Sequence, residues 1–259
     1  MRLPDLKVAK RFLEARPPRG GVVLCAITGS HHYGFPSPDS DIDIKGIHLA
    51  PTRTCLGLGH PQETHDRLEV FDGIECDLTT HEAKKAIGLM LRGNGNILER
   101  IFSPFQLLPG PGVDALRELA KGSLSKRCLG HYRGYFRGMQ REHTKVAQTA
   151  KTMLYTYRVA LTGVHLLRTG VVVADLGLLA PEYGFDEVLQ LIERKCATRE
   201  KVGLPDAESM HFQGGWARLE EALEEALLAS QLPDEPGNEA ACEAWLVDQR
   251  LALLAREGR

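Results

Sequence analysis

No apolar run in this sequence reaches the length of a membrane span, because charges interrupt the longest candidates. The opening residues, Met1 to Lys10, carry charges throughout and lack the apolar stretch of a secretory leader, so a cytoplasmic protein with no membrane partner is expected. Cysteine occurs at Cys25, Cys55, Cys76, Cys128, Cys196 and Cys242 and never as a C-x-x-C pair. That spacing argues against a disulfide framework or a structural zinc and for reduced thiols. Internal repeats and low-complexity segments are also missing. What remains is an ordinary globular composition, 43% hydrophobic and 25% charged over 259 residues, enough for one large domain or two small ones.

The net charge of −2 conceals a strong segregation along the chain. The first 120 residues are nearly neutral. Residues 121–170 hold 10 basic side chains against one acid, Glu142, and residues 171–259 hold 8 basic against 18 acidic. So basic a middle segment is the footprint of a surface that meets phosphates, or else of one that packs beside the acidic final third and neutralises it.

The pattern of elements changes once along the chain. Asp5 to Ala15 reads as a helix stopped by Pro17-Pro18-Arg19-Gly20-Gly21, and Val22 to Thr28 as a strand buried on both faces. A Gly/Ser/Pro-rich loop follows to Ser40, then an alternating strand from Asp41 to Ile47. Arg67 to Leu78 reads as a hairpin turning at Asp72-Gly73. Thr80 is the expected N-cap of a helix to about Leu91, which Gly93-Asn94-Gly95-Asn96 breaks. Beyond Pro104, Pro109 and Pro111 the spacing is helical, over Ala115–Leu119, Tyr132–Thr149, Ala150–Arg168, Phe185–Thr198 and Trp216–Ser230. The expected organisation is an α+β catalytic domain over 1–111, a mixed sheet flanked by helices, and an all-helical substrate-binding domain over 112–259.

The chemistry is concentrated between Gly29 and Gly46. Strand alternation places Asp41, Asp43 and Lys45 on one face and Ile42 and Ile44 on the other. Two carboxylates that close repel unless something positive lies between them, and in phosphoryl chemistry a pair of Mg²⁺ ions is the usual solution. Gly29 and Ser30 end the buried strand, where glycine admits a phosphate to the backbone N–H groups and the hydroxyl adds a donor. Lys45 either pairs with Asp43 or reaches a substrate phosphate. Ser40 either hydrogen-bonds a metal-bound carboxylate or caps the loop. His31 and His32 are read as ordinary loop histidines, since adjacent side chains in an extended loop point apart.

Gly29-Ser30, ten residues, then Asp41-x-Asp43 resembles the signature of the DNA polymerase beta nucleotidyltransferase superfamily. The longer pattern through Tyr33-Gly34, Ser40-Asp41-Ile42-Asp43-Ile44-Lys45-Gly46 and Asp72-Gly73-Ile74-Glu75-Cys76-Asp77-Leu78 is similar to its RNA repair pathway DNA polymerase beta family. The likeness continues through Gly93-Asn94-x-Asn96-x-Leu98-Glu99 and Leu161-Thr162-Gly163-x-His165, covering about residues 20–175. It implies a polymerase-beta-like fold, Mg²⁺ (two ions, Mn²⁺ as a substitute) and a third carboxylate from a later strand. Asp77 aligns with that carboxylate, and Glu75 shares its face as competitor. The resemblance thus implies catalytic and metal-binding roles for Asp41, Asp43 and Asp77; from their own chemistry and position, Gly29, Ser30, Ser40 and Lys45 are expected at the nucleotide.

In the helical part, spacings of about four put Arg133, Arg137 and Arg141 on one helical face, joined by Lys145 and Lys151 and interleaved with Tyr132, Tyr135 and Phe136. Guanidiniums with no acids to satisfy them suit a triphosphate or an RNA backbone. Asn94, Asn96 and Glu99 are either functional or placed for the helix break. Tyr155 and Arg158 are candidates to line a cleft, and His165 reads as a satisfied core histidine. The expected activity is metal-dependent transfer of NMP from ATP or another NTP to an RNA 3′ end, a tRNA or tRNA fragment, in RNA repair. The alternatives are transfer to a small molecule or protein, and a non-catalytic nucleotide-binding module.

Overall fold

The computed structural model describes residues 6–198 and 203–257. Asp5, the expected start of the first helix, and the rest of the charged opening before Leu6 lie outside the described residues. The chain forms two compact units. Among the described residues, one gathers 6–29, Asp41–Ser123 and 236–257; the other gathers Ser30–Ser40, 124–198 and 203–235.

The first unit is built on a five-stranded mixed sheet in the order β3-β4-β2-β1-β5. Its strands are β1 (Gly21–Ile27), β2 (Ile42–Leu49), β3 (Thr64–Phe71), β4 (Ile74–Glu82) and β5 (Gln106–Pro109). β2 runs antiparallel to β1 and parallel to β4. The hairpin turn at Asp72-Gly73 has both residues at positive φ (51° and 79°), the combination that the twist of a two-residue hairpin demands. One sheet face is apolar: Cys25, Ile27, Ile42, Ile44, Cys76 and Leu78 pack beneath Phe12 and Leu13 of α1 (Leu6–Ala15). Alternation therefore commits the other face of β2 and β4 to Asp43, Lys45, Asp77 and Thr79.

Several elements depart from the expectation. Thr80 is not a helix cap: β4 continues to Glu82, whose side chain accepts from Lys84 N at 2.8 Å and begins α4 (Ala83–Leu91). Pairing with β2 along its whole length keeps Thr80 in the strand, opposite Gly46. Gly93 does break the helix, yet Asn94 at once caps another, α5 (Gly95–Phe102), accepting from Ile97 N at 3.2 Å. A short helix, α3 (Thr52–Leu56), precedes β3. Val113–Gly122 forms α6. Glu239–Glu257, in the acidic tail, forms α13, whose Arg250 donates to the buried Glu82 at 2.9 Å and whose Arg250 carbonyl accepts from Thr52 Oγ1 at 2.9 Å.

The second unit is helical: α7 (Cys128–Lys145), α8 (Ala150–Thr169), α9 (Leu176–Glu182), α10 (Val188–Ala197), α11 (Asp206–Gln213) and α12 (Trp216–Ala229). α8 is buried along most of its length, and a capping box at Thr149 and Thr152 starts it. Among the described residues no helix is long and apolar enough to cross a membrane.

Candidate active site

The carboxylate pair is created by register. In the parallel ladder Asp43 lies opposite Asp77 and Lys45 opposite Thr79, so the two acids stand side by side about 4.8 Å apart across the strands. Glu75 lies one alternation back towards the hairpin turn and is exposed. Asp41, one residue before β2, is half-buried.

Lys45 projects between the acids. Its Nζ donates to Asp77 Oδ2 at 2.7 Å and to Thr79 Oγ1 at 3.3 Å, and lies 3.5 Å from Asp43 Oδ1. The side chains of Asp43 and Lys45 are each 21% exposed and that of Asp77 34%, so the cluster is screened from water without being sealed from it. Lys45 thus forms the ion pair that the sequence left open, and its closer contact is to Asp77. The positive charge between the carboxylates here is an ammonium.

Gly29 has a specific reason to be glycine. Its φ is +63°, and a Cβ built there would sit 1.8 Å from Asp43 Oδ2. Thr28 N also donates to the Asp43 carbonyl at 2.9 Å. The end of β1 is therefore the wall against which the Asp43 carboxylate rests.

The donor chemistry suits a divalent ion: carboxylate oxygens are hard ligands of the kind Mg²⁺ and Mn²⁺ take. Among the described residues, no three such side chains form a gathered metal cage. The Asp43/Asp77 pair fits a cation that takes the place Lys45 Nζ now holds.

In the helical unit, the Ser30–Ser40 loop is closed on itself and pinned from several sides. Ser40 Oγ accepts from Ser30 Oγ at 3.1 Å and from Ser37 N at 2.9 Å, so Ser40 performs the loop-capping role. Lys195, 1% exposed, donates to Phe35 O at 3.0 Å and lies 3.4 Å from Ser37 Oγ. Leu176 N donates to Tyr33 O at 3.0 Å. A Cβ on Gly34, at φ +86°, would meet Asp175 Oδ1 at 2.3 Å. Arg158, fully buried, lays its guanidinium 3.9 Å from the centre of the Tyr33 ring. Burial, with the Arg158 charge as second cause, pushes the imidazoles of His32 and His131 down to about 4. His31 and His32 end the short helix α2 (Gly29–His32), where an extended loop was expected. Sequence reasoning missed Lys195 and Asp175, since neither sits in a motif and only their burial against the loop marks them.

The basic row on α7 divides in two. Arg133 pairs with Glu224 and Arg137 with Glu220, both acids coming from α12. The expectation that this row lacks acids is thereby corrected for its first half, where the acidic third of the chain supplies them. Arg141 and Lys145 are exposed and form no ion pair among the described residues. Lys151 lies 6.0 Å from the Tyr155 ring centre. Glu99 is buried on α5, Asn96 beside it is exposed, and His165 Nδ1 is satisfied by Tyr183 OH at 2.9 Å.

Compared with known proteins, residues 8–248 match the sequence model of the RNA repair pathway DNA polymerase beta family. No curated protein matches. Among solved structures, a nucleotidyltransferase-like protein from Exiguobacterium sibiricum is 10% identical, with 98% of this chain and 92% of that chain covered at a TM-score of 0.36.

Proposed function

The chain belongs to the RNA repair pathway DNA polymerase beta family, a polymerase-beta-like nucleotidyltransferase family, and we propose that it transfers NMP from an NTP to an RNA 3′ end, a tRNA or tRNA fragment. The observation that carries the reading is the register that sets Asp43 beside Asp77 on the hydrophilic sheet face, with Gly29 cleared of a side chain to admit the Asp43 carboxylate. Divalent ions, two Mg²⁺ with Mn²⁺ as substitute, held by Asp41, Asp43 and Asp77 would neutralise charge gathering at the α-phosphorus and acidify the attacking hydroxyl. Asp77 receives the proton of that hydroxyl. Lys45, released from Asp77, meets a phosphate oxygen, as do the backbone N–H groups at Gly29 and Ser30, while Ser40 keeps the loop closed. In this reading catalysis belongs to the sheet-bearing part within residues 1–111 and substrate binding to the helices within 112–259, with Ser30–Ser40 counted in the helical unit and α6 and α13 in the sheet unit.

The basic residues for RNA are Arg141, Lys145 and Lys151. Arg133 and Arg137, each paired to a glutamate, join them only by exchanging that partner for a phosphate.

One observation favours a second reading. Lys45 already neutralises the acid pair, as a nucleotide-binding module without transfer would require. Incubation with labelled triphosphates and Mg²⁺, with tRNA or with no acceptor, separates the two. Label entering RNA supports the transferase, and tight nucleotide binding with no label transferred to any acceptor overturns it.

A further inference from the structure

Between α7 and α8 lies a pocket of about 590 Å³, a volume in the range of small-molecule sites. Tyr135, Gly138, Met139 and Glu142 line it from α7, and Lys151 and Tyr155 from α8. Its exposed lining is mostly apolar and aromatic; Glu142, Lys151 and the threonines Thr149 and Thr152 supply its polar positions. Gly138 leaves the floor open: a Cβ there would meet nothing nearer than Arg141 Nη2 at 4.0 Å. Tyr155 is a wall of this pocket and also stands edge-on to Tyr33 and Phe35, with ring centres 5.5 Å apart in both cases. An occupant of the pocket is therefore one ring away from the Ser30–Ser40 loop.

Arg141 and Lys145, which form no ion pair among the described residues, follow one another at four-residue spacing on α7, with Arg141 Nη2 4.0 Å from where a Gly138 Cβ would stand. An apolar pocket walled by Tyr135 and Tyr155 suits a nucleobase, and cations beside it suit backbone phosphates. Arg141 and Lys145 stand about 6 Å apart along the helix, so each can meet a phosphate of an extended single strand. Glu142 forms no ion pair among the described residues, and its carboxylate can accept from an exocyclic amino group.

We propose that this pocket holds an unpaired base of a single-stranded RNA, with Arg141 and Lys145 on the flanking phosphates and Glu142 favouring a base that carries an amino group over uracil. The assignment rests on the reading of RNA as acceptor, and binding tests it without requiring transfer. The pocket-filling variant Gly138→Leu meets open space and replaces glycine by a good helix former, so it folds, as its thermal midpoint will confirm.

The probes are a fluorescein-labelled oligoadenylate, the matching oligouridylate, and the same backbone without bases. Gly138→Leu binds oligoadenylate roughly tenfold or more weakly than the wild-type chain and binds the abasic strand unchanged. Glu142→Gln removes the preference for oligoadenylate over oligouridylate. Arg141→Ala lowers the salt dependence of oligoadenylate binding by about 0.7 in log–log slope, the share of one phosphate contact. Unchanged oligoadenylate binding by Gly138→Leu overturns the proposal. So does a loss confined to free ATP, which would give the pocket to the incoming nucleotide. Label transfer to RNA with unaltered binding by Gly138→Leu would sink the pocket and spare the transferase. Weakened binding by that variant, with no transfer by the wild-type chain, would do the reverse.

Discussion

Replacing Gly29 by alanine tests the geometry of the acid pair most directly. The substitution has two separable consequences. At φ +63° any L side chain is strained, which costs roughly 1–2 kcal/mol. In a chain of this size that lowers the thermal midpoint by roughly 2–8 °C. The new methyl would also stand 1.8 Å from Asp43 Oδ2, so the carboxylate must retreat by about an ångström. A displacement of that size at a reacting centre costs on the order of 10²-fold in rate. Gly73→Ala isolates the first consequence, because Gly73 has φ +79° and nothing lies within 4 Å of its Cβ. The two variants, compared by thermal denaturation and by incorporation of labelled nucleotide, should lose similar stability. Only Gly29→Ala should lose transfer, by about 10²-fold. Transfer at the wild-type rate by Gly29→Ala, or equal losses in both variants, would refute the claim that Asp43 needs the space beside Gly29.

Three further outcomes are expected. Asp77→Asn should abolish turnover while triphosphate binding, followed by equilibrium dialysis, largely survives; loss of the fold would assign Asp77 a structural role instead. Lys45→Met leaves Asp43 and Asp77 adjacent without their ammonium, so Mg²⁺ should raise its thermal midpoint more than it raises that of the wild-type chain. An equal response would count against a cation site between the acids. Burial holds His32, His48, His81 and His131 at about 4, below the ordinary 6.5, so folding favours their neutral forms. Their contribution is complete above 6.5 and is lost as pH falls towards 4, so the urea midpoint should fall steadily across that interval. A flat midpoint there would contradict the burial of these rings.

The local chemistry of the site was legible in the sequence wherever it depended on near neighbours. Alternation alone separates Asp41, Asp43 and Lys45 from Ile42 and Ile44, and Asp72-Gly73 announces its hairpin because few residue pairs tolerate two positive φ angles. The family was legible for the same reason, as its motifs are short stretches of fixed spacing. Thr80 was misjudged because cap preference is a weak local signal that pairing with β2 overrides.

Tertiary structure decided everything that depends on partners far away in the chain. Ladder register brings Asp77 beside Asp43 and sends Lys45 to Asp77, a choice that alternation within either strand cannot express. The neutralisation of Arg133 and Arg137 by glutamates on α12, the clamping of the Ser30–Ser40 loop by Lys195, and the return of α13 to Glu82 join segments separated by 83 to 168 residues. A charge pattern tells which residues need partners, and only packing chooses among the acids available. The sequence by itself therefore determined which side chains can do the chemistry, because that is written in their type and spacing. The folded chain determined which of them meet, because that is settled by burial and register across the whole molecule.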